Sequence, residues 1–237
     1  MLVRLVSLAF LVVALPAVPV RADDLADFNA AVEQAAAHNR VAIGYLRTGN
    51  VDLASVELDR LRQAFEQVTA RKRPAVFDAK LYVKTMTDVA MRLVTADMLL
   101  NSGRADPARQ SLLGVRDDFY DLRKSAHVAV LADCVRDAGD AMDALMVYNN
   151  RDLDFAKPGV AADLAARTDT SGKTLARCDG MADPEVRKEG EFRRLIDGAK
   201  ASLAQMPKAI ATHDANLVHR LLIELRSFDN LLAFRFG

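Results

Sequence analysis

Three side chains with soft or basic donor atoms could form a ligand set in the second half of the chain. Met142 and Met146 are spaced i,i+4, so on a helix they share one face. In an up-and-down bundle, the end of that helix meets the start of the last helix, which carries His219. Thioether sulfur and imidazole nitrogen are ligands of haem iron and of copper. The alternative, which we favour, is that both methionines fill the core and His219 lies beside it.

Motifs of catalysis are missing from the sequence. The chain contains no GxSxG, HExxH, P-loop or GxGxxG pattern. His38 lies on the inward stripe of the first predicted helix, where we expect it to be buried and hydrogen-bonded. We therefore expect a protein that is not an enzyme.

The last helix ends in a segment with the residue types of a partner-binding surface. Phe228, Phe234, Arg235 and Phe236 bring aromatic rings and a guanidinium together, and both types are enriched at interface hot spots. The alternative is that Phe228 and Phe236 close the bottom of a bundle, with Phe234 and Arg235 facing outward.

Residues 1–22 have the features of a signal peptide. Arg4 is followed by an apolar run over residues 5–14, and the small residue Ala22 precedes two aspartates. An uncleaved anchor is the alternative. The remainder has no apolar stretch long enough to span a bilayer, so we expect a periplasmic or secreted protein. The 32 basic and 32 acidic residues of the 237-residue chain balance, which gives no electrostatic case for binding nucleic acid.

The two cysteines, Cys134 and Cys178, predict one disulfide. An exported chain meets an oxidising compartment, where an even pair of cysteines is oxidised. The functional alternatives are a metal pair or a redox couple, but the sequence has no CxxC motif.

Helical periodicity runs through the chain, and no stretch alternates with the period of a strand. Tight turns near residues 49, 103, 150 and 214 join the helices into hairpins. The first two hairpins align at a spacing of 54 residues, which suggests an internal repeat: Leu46, Gly49, Ala54, Leu58, Leu61 and Phe65 fall on Leu100, Gly103, Ala108, Leu112, Val115 and Phe119.

We expect eight helices, covering 24–46, 53–70, 75–101, a fourth from 107, 125–148, 159–178, 184–212 and 217–234. The predicted fold is all-α, with two four-helix bundles over 23–123 and 124–237, and an α-solenoid is the alternative.

The hairpin pattern resembles that of exported four-helix-bundle cytochromes. A Gly-Asn turn, an alanine and then Leu58, Leu61 and Phe65 carry the likeness, which covers both halves as a pattern only. The resemblance implies a bundle that holds haem, of the cytochrome b or cytochrome c′ type. The chain departs from the c′ type because neither cysteine lies in CxxCH. The b type needs a methionine in the first helix and a histidine in the last, and the second half alone offers Met142 or Met146 with His219.

Two classes of function follow from the sequence. The first is an exported, non-enzymatic helical module that binds a protein partner or a small ligand, without a cofactor. The alternative is a bundle that binds haem b, copper or another metal for electron transfer or metal handling. The sequence also leaves open whether the protein forms a homodimer.

Overall fold

The computed structural model describes residues 21–237, with side chains from residue 24 onward. Residues 1–20, and with them almost all of the predicted signal peptide, lie outside this range. Within it the chain is helical and has no strand, which confirms the all-α prediction. The helices are α1 (Arg21–Arg47), α2 (Val51–Ala70), α3 (Ala79–Asn101), α4 (Ala105–Ser125), α5 (Leu131–Met146), α6 (Val160–Met181), α7 (Pro184–Lys188), α8 (Gly190–Ala211) and α9 (Ala215–Phe236).

The first four helices form a closed bundle. α1 packs on α2 and α4, and α3 packs on α4 and α2, so that each helix has two neighbours. Leu58, Leu61 and Leu112 are fully buried on the inward stripes. Phe28 packs edge-on against Phe77 at one end, with 5.3 Å between the ring centroids. The contact between α1 and α4 closes this ring of helices, which an open solenoid would not do.

The second half repeats this plan with α5, α6, α8 and α9. α5 packs on α6 and α9, and α8 packs on α9 and α6. Its core is separate from the first one and includes the fully buried Leu145, Leu164, Ile196 and Leu222. The two four-helix bundles predicted from the sequence are therefore present.

Three of the hairpin turns share one backbone conformation. Gly49 has φ 79°, Gly103 has φ 73° and His213 has φ 53°, all in the left-handed region. In each case the next residue donates its amide to a carbonyl five residues earlier, which caps the preceding helix. Glycine adopts this conformation without a steric penalty, whereas histidine does not. The alignment of the hairpins thus matches positions with the same backbone role.

Several helix boundaries differ from the sequence expectation. α5 begins at Leu131 rather than near 125, because His127 has φ 54° and Val130 is extended. α3 begins at Ala79 rather than 75, because the Asp78 carboxylate accepts from the amide of Leu81 at 2.9 Å. The helix expected over 184–212 is interrupted at Glu189, so the described chain has nine helices instead of eight.

Cys134 and Cys178 form the predicted disulfide. Their Cα atoms are 5.4 Å apart, and the bond joins α5 to α6. Both cysteines are buried in the second core. The bridge closes a segment with a sequence separation of 44, so it constrains most of the α5–α6 hairpin.

A buried ion pair connects the end of the first bundle to the start of the second. The Arg123 guanidinium on α4 donates to both carboxylate oxygens of Asp133 on α5, at 2.7 and 2.5 Å. Both side chains are nearly excluded from solvent. Two parallel hydrogen bonds between a guanidinium and a carboxylate fix the relative orientation of the two groups as well as their distance. The pair therefore fixes the direction in which α5 leaves the first bundle.

Candidate functional site between the two bundles

The two bundles meet where α1 crosses the end of α9. Phe234 of α9 lies on Gly44 of α1, and a Cβ atom at residue 44 would be 3.3 Å from the Phe234 ring. The Arg40 guanidinium on α1 donates to the carbonyl oxygen of Gly237 at 2.5 Å and to Glu33 at 2.7 Å. A glycine and an arginine on α1 therefore hold the end of α9 in place.

Beside this contact lies a cavity of about 560 Å³. This volume falls within the range of small-molecule sites. One wall belongs to the first bundle and the other to the second. The first wall includes Asn29, Val32, Ala36, Asn39, Ile43, Leu113, Arg116 and Phe119, and the second includes Val130, Leu131, Val186, Ala233, Phe234 and Phe236.

The cavity exists because α1 carries small residues on the side that does not face its own bundle. Ala26, Ala30 and Ala36 line the space, and Gly44 lies at the contact with α9. The opposite side of α1 carries Phe28 and other residues of the first core. Small side chains leave room between two helices that larger ones would fill.

Two asparagines place polar atoms in this mostly apolar lining. Asn39 is 3 % exposed, and its amide group donates to the carbonyl of Leu112 at 3.0 Å. Its Oδ1 atom is buried and accepts no hydrogen bond from any described residue, and the same holds for Oδ1 of Asn29. Buried acceptors usually have a donor, so both oxygens lack a partner that they would normally have. Neither oxygen has surface open to the cavity, so its side chain must turn before it can bond to a ligand.

The arginines that line the cavity differ in their partners. Arg40 is paired with Glu33, and Arg123 with Asp133. Arg116 on α4 forms no ion pair with any residue in the range 24–237, and its Nε atom is buried without an acceptor. Arg47 and Arg235 also form no ion pair in that range, but both are exposed. Asn39 bonds to the carbonyl one turn before Arg116, so both polar groups lie in the same part of the cavity wall.

Asp229 on α9 is a largely buried carboxylate with a perturbed pKa, and the charge of Arg116 acts on it. Burial raises the pKa of Asp229 to about 6, against the lowering effects of Arg226 and Arg116. Arg226 donates to Asp229 at 3.0 Å and also to Asp143 at 2.5 Å. Arg116 acts on Asp229 only through its charge, without a hydrogen bond, so the Arg116 guanidinium keeps free donors.

The ligand set predicted from the sequence, Met142, Met146 and His219, does not line the cavity between the bundles. Its side chains have other partners. Met142 is buried in the core, as the packing alternative predicts. His219 Nδ1 is 2.7 Å from Oδ1 of Asn149, and its Nε2 atom accepts from Arg151 at 3.2 Å. Both ring nitrogens therefore have partners, and Met146 only packs at the edge of the core.

The aromatic residues of α9 divide between the two bundles. Phe228 packs into the second core against Gly198, and Phe236 lies edge-on to Phe192 with 5.1 Å between centroids. Phe234 turns to α1 and lines the cavity, and Arg235 is exposed at its edge. Their role in binding a partner stays a prediction.

His38 is less buried than the sequence pattern indicates. Its side chain is 37 % exposed, while its Nδ1 atom lies 2.8 Å from the buried carboxylate of Glu57 on α2. The predicted hydrogen bond of His38 is present, but the prediction that its side chain is buried is wrong. His38 lies at the edge between α1 and α2 and not on the central stripe of α1. Arg60 donates to the same carboxylate at 2.6 Å.

Sequence reasoning missed the residues that line the cavity. Asn39 offers a signal in retrospect, because it is a buried polar residue between the apolar positions Ala35 and Ala42 of α1. Arg116 offers none, since an arginine on an amphipathic helix is ordinary. Its role depends on how the second bundle is placed against the first.

Two properties of the described residues bear on the class of site. Within residues 21–237, no helix combines the length and hydropathy needed to cross a bilayer. In the same range, no three side chains of His, Cys, Asp or Glu lie together in a group suited to a metal ion.

Comparison of the chain with protein-family models, with curated proteins and with solved structures gave no match.

Proposed function

We propose that this protein is a non-enzymatic binding module that takes a small, largely apolar molecule into the cavity between its two bundles. The observation that carries the proposal is the cavity itself, about 560 Å³ between α1 and α4 on one side and the end of α9 on the other. The signal-like segment and the disulfide favour an exported protein, because disulfides persist in oxidising compartments.

The mostly apolar walls of this open cavity support a ligand in this space. An apolar ligand bound there would remove those walls from water, which is favourable in proportion to the area covered. Clefts between domains are common ligand sites, and they combine apolar walls with a few polar groups. The side chains of Asn29 and Asn39 are such groups, since a rotation would bring their unpartnered oxygens to a donor on the ligand.

A protein partner is the second candidate, and one observation favours it. The outer face of α3 exposes Val83, Met91, Val94 and Met98, each more than half accessible to solvent. Methionines on an exposed face adapt to partners of different shape. A haem or metal bundle has less support, because Met142 is packed in the core and His219 is bonded through both nitrogens.

The small-ligand proposal is tested with a neutral fluorescent probe, N-phenyl-1-naphthylamine. The chain contains no tryptophan, so the probe signal is free of indole emission. We expect saturable binding to the wild type. Ala36→Phe, which fills part of the cavity, should abolish it. Ala201→Phe on the exposed side of α8 is the matched control and should bind as the wild type does. Equal binding by wild type and Ala36→Phe would contradict the proposal.

A further inference from the structure

We infer that the ligand of the cavity is an acidic amphiphile, a molecule with one anionic group on an apolar chain or ring system, and that Arg116 receives the anionic group. This inference rests on the proposed function and adds the chemical class of the ligand. It follows from the charges along the cavity wall and from the partners that each charge has.

Arg116 is the lining arginine that combines burial with free donors. Arg40 donates to Glu33 and to the carbonyl of Gly237, and Arg123 is held by Asp133. Arg116 has a buried Nε atom with no acceptor among the described residues and forms no ion pair with them. A guanidinium presents donors in a planar fork that matches a carboxylate or a phosphate group, so an acidic head group would satisfy it.

The rest of the lining suits the apolar part of such a molecule. Val32, Ala36 and Ile43 of α1 and Phe234 of α9 line the cavity. Two other lining arginines, Arg47 and Arg235, form no ion pair with any described residue, but both are exposed, whereas the Nε atom of Arg116 is buried. The carboxylates that line the cavity are Glu33, which is already paired with Arg40, and Asp183. Asp229 lies outside the lining and interacts with Arg116 through its charge, without a hydrogen bond. One anionic group at Arg116 and an apolar body along α1 therefore match the arrangement of groups.

The Asn39 oxygen adds a second polar contact near the same end. It lies beside the α4 backbone one turn before Arg116 and is buried with no donor among residues 24–237. An acceptor at this place repels a bare anion but accepts from a hydroxyl or amide group next to it. The anionic group is therefore held by Arg116, and a neighbouring donor on the ligand would bond to Asn39 once that side chain turns toward the cavity.

The experiment compares decanoate with decanol, which share a chain and differ in charge. Both are titrated by displacement of the neutral probe from the wild type, Arg116→Met, Arg116→Lys and Arg220→Met. Arg220 is exposed on α9 away from the cavity, so its substitution makes the same change in charge. A charge-assisted hydrogen bond corresponds to a roughly 10- to 100-fold preference for the acid.

We expect the wild type and Arg220→Met to prefer decanoate by that factor, Arg116→Met to bind both compounds equally, and Arg116→Lys to regain part of the preference. Decanol binding by Arg116→Met shows that the cavity still folds. Retention of the preference in Arg116→Met, or equal binding of both compounds by the wild type, would overturn the inference and leave the proposed function standing. Failure of both compounds to displace the bound probe would overturn the inference, and failure of the wild type to bind the probe would overturn the proposed function as well.

Discussion

The two bundles follow one plan and are stabilised in different ways. The first contains no cysteine and packs a cluster of aromatic rings around Phe28, which contacts Phe77, Tyr82 and Phe119. The second has a disulfide between α5 and α6 and a buried carboxylate at Asp229. Its helices α5 and α6 are joined by the long connection 147–159, where the first bundle has a turn of residues 48–50. A covalent link thus occurs in the bundle whose first hairpin has the longer connection.

This difference indicates where each half is vulnerable. A short capped turn holds its two helices at a small entropic cost, whereas a long connection leaves them free to separate in the unfolded state. The disulfide offsets that freedom. We therefore expect the first bundle to depend on packing and the second to depend on its covalent and ionic links.

The largest effect should come from the ion pair at the junction of the bundles. Asp133→Ala leaves the Arg123 guanidinium buried without a partner, which should lower the free energy of unfolding by about 3 to 5 kcal/mol. Denaturant unfolding measures the change. The control is Asp169→Ala, which removes an exposed pair with Lys173 and should cost less than about 1 kcal/mol. Equal effects of both substitutions would mean that burial of the junction pair does not matter.

Removal of the disulfide should affect the second bundle alone. Replacing Cys134 and Cys178 by serine opens a loop with a sequence separation of 44, which corresponds to roughly 4 kcal/mol in the chain-entropy model. Hydrogen exchange of individual segments gives the measurement. Amides of α5 and α6 should exchange faster, while those of α2 and α3 should keep their rates. Equal acceleration in both bundles would show that they unfold as one unit.

A pH titration should distinguish the buried carboxylate of the second bundle. Burial raises the pKa of Asp229 from 3.8 to about 6, so the folded state holds a proton that the unfolded state has lost. This favourable contribution is complete below about pH 4 and is lost as the pH rises through about 6. The loss is roughly 3 kcal/mol, since one pKa unit corresponds to about 1.4 kcal/mol.

Asp229→Asn removes the titrating group and serves as the reference for that measurement. The stability of the wild type relative to this variant should fall between pH 4 and pH 7. Arg226, Asp143 and Arg116 surround the carboxyl group in both proteins, so their effects largely cancel in the difference. A difference that rises with pH would show that the positive charge of Arg226 outweighs the burial of Asp229.

The smallest effect concerns the shared turn. His213→Gly relieves a left-handed residue at φ 53° and should raise the free energy of unfolding by about 1 kcal/mol. Gly103→Ala makes the reverse change at the equivalent turn and should lower it by about 1 kcal/mol. Thermal unfolding resolves both. Destabilisation by His213→Gly would show that the stacking of its ring on Phe155 at 5.1 Å outweighs the backbone strain.

Local features of the fold could be predicted from the sequence because they depend on nearby residues. Glycines at positions 49 and 103 mark turns that their left-handed conformation confirms, and the cysteine pair predicts the disulfide. The break before α5 could not be predicted, because nothing in the residue types shows that His127 takes a positive φ. The expected burial of His38 failed since periodicity locates a face of a helix only to within about one residue.

The cavity between the bundles could not be predicted from the sequence, because it depends on how the two bundles are placed against each other. Its residues come from distant parts of the sequence, and Phe234 lies more than a hundred residues after Asn39 and Arg116. Which faces meet depends on the Arg123–Asp133 pair and on the approach of Phe234 to Gly44. The residue types at Phe234 and Arg235 indicate a contact surface, but they do not show that α1 is what Phe234 contacts.

Photo-crosslinking tests the central claim, that a ligand lies between the bundles, most directly. The full chain is illuminated with a long-chain carboxylic acid that carries a diazirine, and adducts are located by peptide mass spectrometry. We predict adducts on the cavity walls, at α1 between Asn29 and Ile43 and near Phe234 of α9, which unlabelled decanoate suppresses. Adducts confined to the exposed face of α3 around Met91 and Met98 would contradict the claim.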